Sequence, residues 1–83
     1  MIKRDTHIYE LKDGHKIVYY GITENRDETF IRHDNSNKEF THMRLIRGPM
    51  SRKTAEDLEY EYVQRYQRQH GGRPPKYNKQ KTY

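Results

Sequence analysis

The chain predicts a small α+β domain, a three-stranded antiparallel sheet flanked by helices. Three observations carry this expectation. Two apolar-aromatic runs, THIYEL and KIVYYG, are joined by KDGH, whose Asp-Gly pair is a strong hairpin signal. A third run lies near residues 42–47 and ends at Gly48-Pro49. Two further segments, NRDETFIRH and TAEDLEYEYVQRYQRQHGG, carry helix caps and helical spacing.

Taken in order, residues 6–11 form the first strand and residues 16–21 the second. A period of two puts Ile17, Tyr19 and Gly21 on one face and Val18 and Tyr20 on the other. In the first helix, over 25–33, Asn25 is the cap and Glu28 stands three residues on, where a capping box places an acid. The polar turn DNSNK leads into the third strand. The second helix starts from Thr54 as cap, with Asp57 three residues later. Acids fill its first turns, and Arg65, Arg68 and His70 fill its last, as the helix dipole favours. Gly71-Gly72 ends it. Ala55, Leu58, Tyr62, Val63 and Tyr66 form its buried stripe, bordered by Glu59. The tail RPPKYNKQKTY is basic and proline-kinked, an extended arm.

The 83 residues fit a single domain over 1–83, with the arm from about residue 71. Leu, Ile, Val and Phe together number only 13, a proportion low enough to raise disorder. Eight tyrosines and three methionines argue against it, because a tyrosine ring adds core volume while its hydroxyl stays bonded or wet. With no cysteine, disulfides and thiolate zinc sites are excluded. No apolar run approaches the roughly 20 residues that cross a bilayer, and MIKRDTH has no apolar segment behind it. A cytoplasmic protein with no membrane partner is expected. The net charge of +5 biases partners toward polyanions.

Taken alone, Tyr9 and Tyr19 read as ring packing under a sheet, and Glu59 as a solvated helix acid. The ordered set changes that reading. HIY at 7–9 and YYG at 19–21 resemble the two halves of the motif of the GIY-YIG nuclease family. Asn25 fits the family asparagine, and His33, twelve residues past Gly21, fits a histidine of its homing endonucleases. Ala55, Leu58 and Glu59 resemble the helix that carries the metal-binding glutamate, and Tyr66 the aromatic near its end. RPPKYN resembles the closing segment, with Asn78 as its asparagine. The resemblance covers nearly the whole chain. Its pieces are weak singly and specific as an ordered set.

The resemblance implies a GIY-YIG endonuclease-like fold and metal-dependent hydrolysis of DNA. It places Tyr9, Tyr19, His33, Glu59 and Asn78 at the site, with Tyr9 the favoured general base and Glu59 holding one Mg2+ or Mn2+. A tyrosine base needs its pKa lowered from about 10 by metal or arginine. Asn78 ties the arm to the site. There are three departures. His7 stands for the first glycine, and QRQHGG lengthens the end of the helix. Thr29 occupies the position of the catalytic arginine, eight residues after Gly21. Arg26 and Arg32 lie one turn either side of it and share its helix face, so either could grip the phosphate.

Arg44, Arg47, Arg52 and Lys53, with Arg73, Lys76 and Lys79 on the arm, are candidate phosphate contacts that add salt dependence but read no sequence. Tyr20, Phe30, Leu58, Tyr62 and Val63 are expected in the core and Tyr60 outside it. His7, His15, His42 and His70 have no assigned role. Two other classes stand beside the endonuclease: a catalytically silent nucleic-acid-binding module, because of Thr29, and a structural or protein-interaction domain using its tyrosines. A nuclease of this size has weak specificity, recognises DNA structure, or works as a homodimer.

Overall fold

The hairpin forms where the Asp-Gly signal lies. In the computed structural model, which describes residues 5–78, β1 (Thr6–Asp13) and β2 (Lys16–Thr23) pair antiparallel. Gly14 and His15 make the turn, and Gly14 takes a φ of +64°, a region that only glycine enters without penalty. α1 (Arg26–Asp34) follows, then β3 (His42–Met50) and α2 (Arg52–Gln69). The sheet order is β2-β1-β3, all antiparallel, so β1 is central.

The period of two fails at one residue. Leu11 faces Tyr19 while the next residue, Lys12, faces Ile17, so Val18 is an inserted bulge residue. Val18 therefore joins Tyr9, Leu11 and Met43 in the core instead of pairing with Tyr20 on the opposite face. Tyr19, Phe40, Leu45 and Tyr77 pack against this cluster. On the other side α2 lies across β2 and β1, where Tyr62 stacks on Tyr20 with centroids 5.4 Å apart.

β3 runs through Gly48-Pro49 to Met50 instead of ending there. It does so by slipping register on both sides of Ile8. Gly48, at φ +125°, sits where a Cβ would lie 2.9 Å from the Thr6 carbonyl oxygen.

The cap of α1 is the expected one: the Asn25 side chain accepts from the Glu28 N–H at 3.1 Å. The face it buries is polar, Thr29 and His33, which are four residues apart. Phe30, expected in the core, is 41% exposed and meets Phe40 edge-on.

α2 starts earlier than expected. Ser51, not Thr54, is the cap, and its side chain accepts from the Thr54 N–H. The first turn then holds Arg52 and Lys53 and no acid, against the helix dipole. Ion pairs from Arg52 to Glu24 and Glu56 compensate. Its buried residues are Ala55, Glu59 and Tyr66, while Leu58, Tyr62 and Val63 are half-buried. Gly71 and Gly72 end the helix with positive φ, and the Gly72 N–H reaches back to the Gln67 carbonyl at 2.7 Å.

The arm then lies along the open edge of β2. Pro75 is fully buried, and the Tyr77 N–H donates to the Val18 carbonyl at 2.8 Å. An exposed strand edge is thereby covered. Among the described residues no helix is long and apolar enough to cross a membrane.

Candidate active site

Gly21 is directly opposite Tyr9 across the hairpin. A Cβ on Gly21 would lie 2.6 Å from Tyr9 Cζ and 2.7 Å from Tyr19 Cε2. The missing side chain is thus the space in which the Tyr9 ring lies, folded across β2 onto Tyr19 at a centroid distance of 6.0 Å. This is why a glycine follows the YY pair: it lets two tyrosines from adjacent strands meet. His33, on the second turn of α1, closes the group. Its ring centroid is 5.7 Å from Tyr9 and 5.3 Å from Tyr19, and its Nε2 lies 2.6 Å from Tyr9 Oη.

The electrostatics of this trio are set by burial. His33 is pushed down to about 4, first by burial and then by the Lys38 and Arg32 charges, so its ring is neutral at neutral pH. Its Nδ1 is buried without a hydrogen-bond partner. The direction of the bond between Tyr9 Oη and His33 Nε2 follows the tautomer: with the ring proton on Nδ1, Nε2 accepts from the Tyr9 hydroxyl, and with it on Nε2 the hydroxyl accepts. The Tyr9 hydroxyl is itself held above its ordinary value of 10.0, by burial first and then by the charge and hydrogen bonding of Tyr19. Arg32 acts in the opposite direction and Glu59 adds to the rise. The downward shift expected for a tyrosine base is therefore absent, and Tyr9 stays protonated at neutral pH.

Thr29, at the arginine position, is 3% exposed and shares a 2.6 Å hydrogen bond with Thr23 Oγ1. It pins α1 to the end of β2. Arg32 donates to Thr29 Oγ1 at 3.3 Å, which directs its guanidinium along the inner side of the helix. The two candidate arginines thus separate. Arg32 acts on both Tyr9 and His33, while Arg26 is exposed and lines neither neighbouring cavity.

Glu59 approaches from α2. It is 8% exposed, more buried than Leu58, Tyr62 and Val63 of the stripe it was expected to border. With Tyr19, Gly21, Glu56 and Asp57 it lines an open cavity of about 700 Å³. A second cavity of about 460 Å³ contains Arg32 and Thr29, and Arg52 and Ile22 belong to the walls of both.

Among the described residues no set of three His, Cys, Asp or Glu is arranged to hold a metal ion. The donors at the Glu59 cavity are carboxylate oxygens, which suit a hard cation such as Mg2+ or Mn2+. The fit is that of one buried carboxylate beside open space.

Asn78 holds the edge of the site. Its Oδ1 accepts from the Tyr20 N–H at 2.7 Å and its Nδ2 donates to the Tyr20 carbonyl at 2.9 Å. The side-chain amide replaces a neighbouring strand for the residue between Tyr19 and Gly21.

No family model, curated protein or solved structure matches this chain.

The expected phosphate contacts are spread out. Arg44, Arg47, Arg52, Lys53, Arg73 and Lys76 are all exposed, and only Arg52 lines a cavity of the site. Lys79 lies outside the described residues. Lys38 is the cation that sequence reasoning missed. Its Nζ sits 5.5 Å from the Tyr19 ring centroid and its charge reaches His33. No spacing rule marks it, because the loop is folded back by Ser36 Oγ donating to the His33 carbonyl and by the Glu39 N–H donating to Tyr77 Oη. His70, given no role, stacks on Tyr66 at 3.8 Å and completes the end of α2.

Proposed function

We propose that the protein is a metal-dependent DNA endonuclease of GIY-YIG type. The observation that carries the reading is the meeting of Tyr9, Tyr19 and His33 over Gly21, with the charges of Arg32 and Glu59 both acting on Tyr9. β1, β2 and α1 supply the three rings, and α2 brings Glu59 to the cavity on the Tyr19 side; these residues follow the order that the resemblance implies, with Thr29 the exception.

Phosphodiester hydrolysis needs an oriented water, a counter-charge for the phosphate and help for the leaving oxygen. Glu59 would hold a divalent cation, which supplies charge neutralisation at the phosphate and the leaving oxygen. Arg32 takes the place of the missing arginine, its fork engaging the phosphate from one helical turn further on. Tyr9 orients the attacking water. With neutral His33 in its Nδ1–H tautomer, the water's proton passes to Tyr9 Oη as the Tyr9 proton passes to the free lone pair of His33 Nε2. The negative charge of an entering phosphodiester raises the proton affinity of His33 at the moment it is needed. Tyr19 fixes the ring of Tyr9, and Asn78 fixes the strand that carries Tyr19.

One observation favours a second reading, the silent nucleic-acid-binding module. Thr29 is a buried structural residue, so the usual arginine has no vacancy to return to. The two readings part on Arg32. In an endonuclease, Arg32→Met lowers the cleavage rate by roughly a hundredfold or more while Arg26→Met leaves it within about twofold. Equal, small effects of both would discard the role given to Arg32.

A further inference from the structure

The second cavity has no part in the scheme above beyond Arg32. It opens between the end of β2 and the first turns of α1, directly beside the Glu59 cavity. Thr6 belongs to its wall, and Thr6 Oγ1 is buried there with no hydrogen-bond partner, a costly arrangement. Arg32 and Arg52 supply positive charge, and Glu24 and Glu28 supply negative charge. Arg52 is held by both sides: its Nη1 lies 3.2 Å from Glu24 Oε1, and its Nε lies 3.1 Å from Glu56 Oε1. The Glu24 carboxylate thus occupies a position on the guanidinium that a phosphate oxygen would fit equally well.

We propose that this cavity seats the phosphate next to the scissile one on the same polynucleotide strand, and that Arg52 leaves Glu24 to grip it. The inference rests on the endonuclease reading for the position of the scissile phosphate. Arg52 is the cation common to both cavities, so it spans the two adjacent phosphates. Glu24 holds the arginine in place in the free protein and competes with the nucleic acid for it. Exposed ion pairs of this kind are weak, so a phosphate displaces the carboxylate readily.

The test is binding to a short fluorescein-labelled duplex in EDTA, where no cleavage occurs, across a salt series. Arg52→Met is expected to weaken binding about tenfold at low salt and to lower the salt slope by about one phosphate contact. Glu24→Gln is expected to tighten binding by about twofold to fivefold, because it removes the competitor. Glu56→Gln removes the same α2 contact but keeps the cation, so it controls for helix stability and leaves the slope unchanged. In duplexes carrying one methylphosphonate, the position that weakens the wild type has no further effect on Arg52→Met. Failure of the wild type to bind any duplex overturns the endonuclease reading and this inference with it. Normal binding with an unchanged salt slope in Arg52→Met, or no gain in Glu24→Gln, overturns this inference alone.

Discussion

Replacing Gly21 by alanine tests the packing on which the site depends. The backbone does not require glycine here, since Gly21 is not among the residues with positive φ. The obstacle is the Tyr9 ring. A Cβ would lie 2.6 Å from Tyr9 Cζ, against about 3.4 Å for ordinary contact, so the ring must retreat by about 0.8 Å. Tyr9 is 3% exposed and packed between Tyr19 and His33, so it has little room to do so. The same retreat would stretch the 2.6 Å contact with His33 Nε2 to about 3.4 Å, past a useful O–H···N bond. Overpacking of this kind costs about 1–3 kcal/mol, or roughly 4–24 °C in Tm for a domain of this size. Cleavage should fall by about a hundredfold, since a shift near 1 Å in a reacting group has that effect. Urea unfolding and plasmid cleavage measure the two losses. Trimming the ring by Tyr9→Leu should restore part of the stability, so the double variant is less destabilised than the two single losses added. A Gly21→Ala protein of wild-type stability, or strict additivity with Tyr9→Leu, would refute the account of why glycine stands there.

Three further outcomes are expected. Asn78→Ala strands the Tyr20 N–H and carbonyl at the covered edge of β2 and should cost about 2 kcal/mol in urea unfolding; no loss would mean that the arm is not held by this residue. For His33 the folded value of about 4 lies below the ordinary 6.5, so the unfolded chain binds more protons between them. Its contribution to stability is complete above pH 6.5 and is lost as pH falls toward 4, with a slope of up to about 1.4 kcal/mol per pH unit, and His33→Gln should flatten that slope in pH-dependent unfolding. Thr29→Val breaks the bond to Thr23 and should cost about 1 kcal/mol by thermal melting; an unchanged Tm would remove Thr29's role in pinning α1.

Much of the fold was legible because its signals are local. The Asp-Gly turn, the Asn25 cap and the Gly71-Gly72 stop each depend on a few adjacent residues, and each element appears where its signal lies. Tertiary contacts decided the rest. The bulge at Val18 moved that residue to the other face, which no alternation of apolar residues reveals. The start of α2 moved back to Ser51, since the capping serine and the Arg52–Glu24 pair act across a turn that reads as loop. The burial of Glu59 was hidden for a related reason. Helical spacing sees it only as a neighbour of the stripe, and it is buried where α2 packs onto β2, beside Tyr19, Gly21 and Ile22. Within the site, Tyr9, Tyr19 and His33 were legible as a set and are in contact, whereas the choice of Arg32 over Arg26 and the place of Lys38 depend on how α1 and its following loop fold back.

The most direct test of the central claim is cleavage of supercoiled plasmid and branched DNA by the purified protein with Mg2+ or Mn2+, beside Glu59→Gln. Metal-dependent cleavage by the wild type is expected, with its loss in the variant and salt-sensitive DNA binding retained. Equal cleavage by both proteins, or binding by the wild type without cleavage of any substrate, would contradict it.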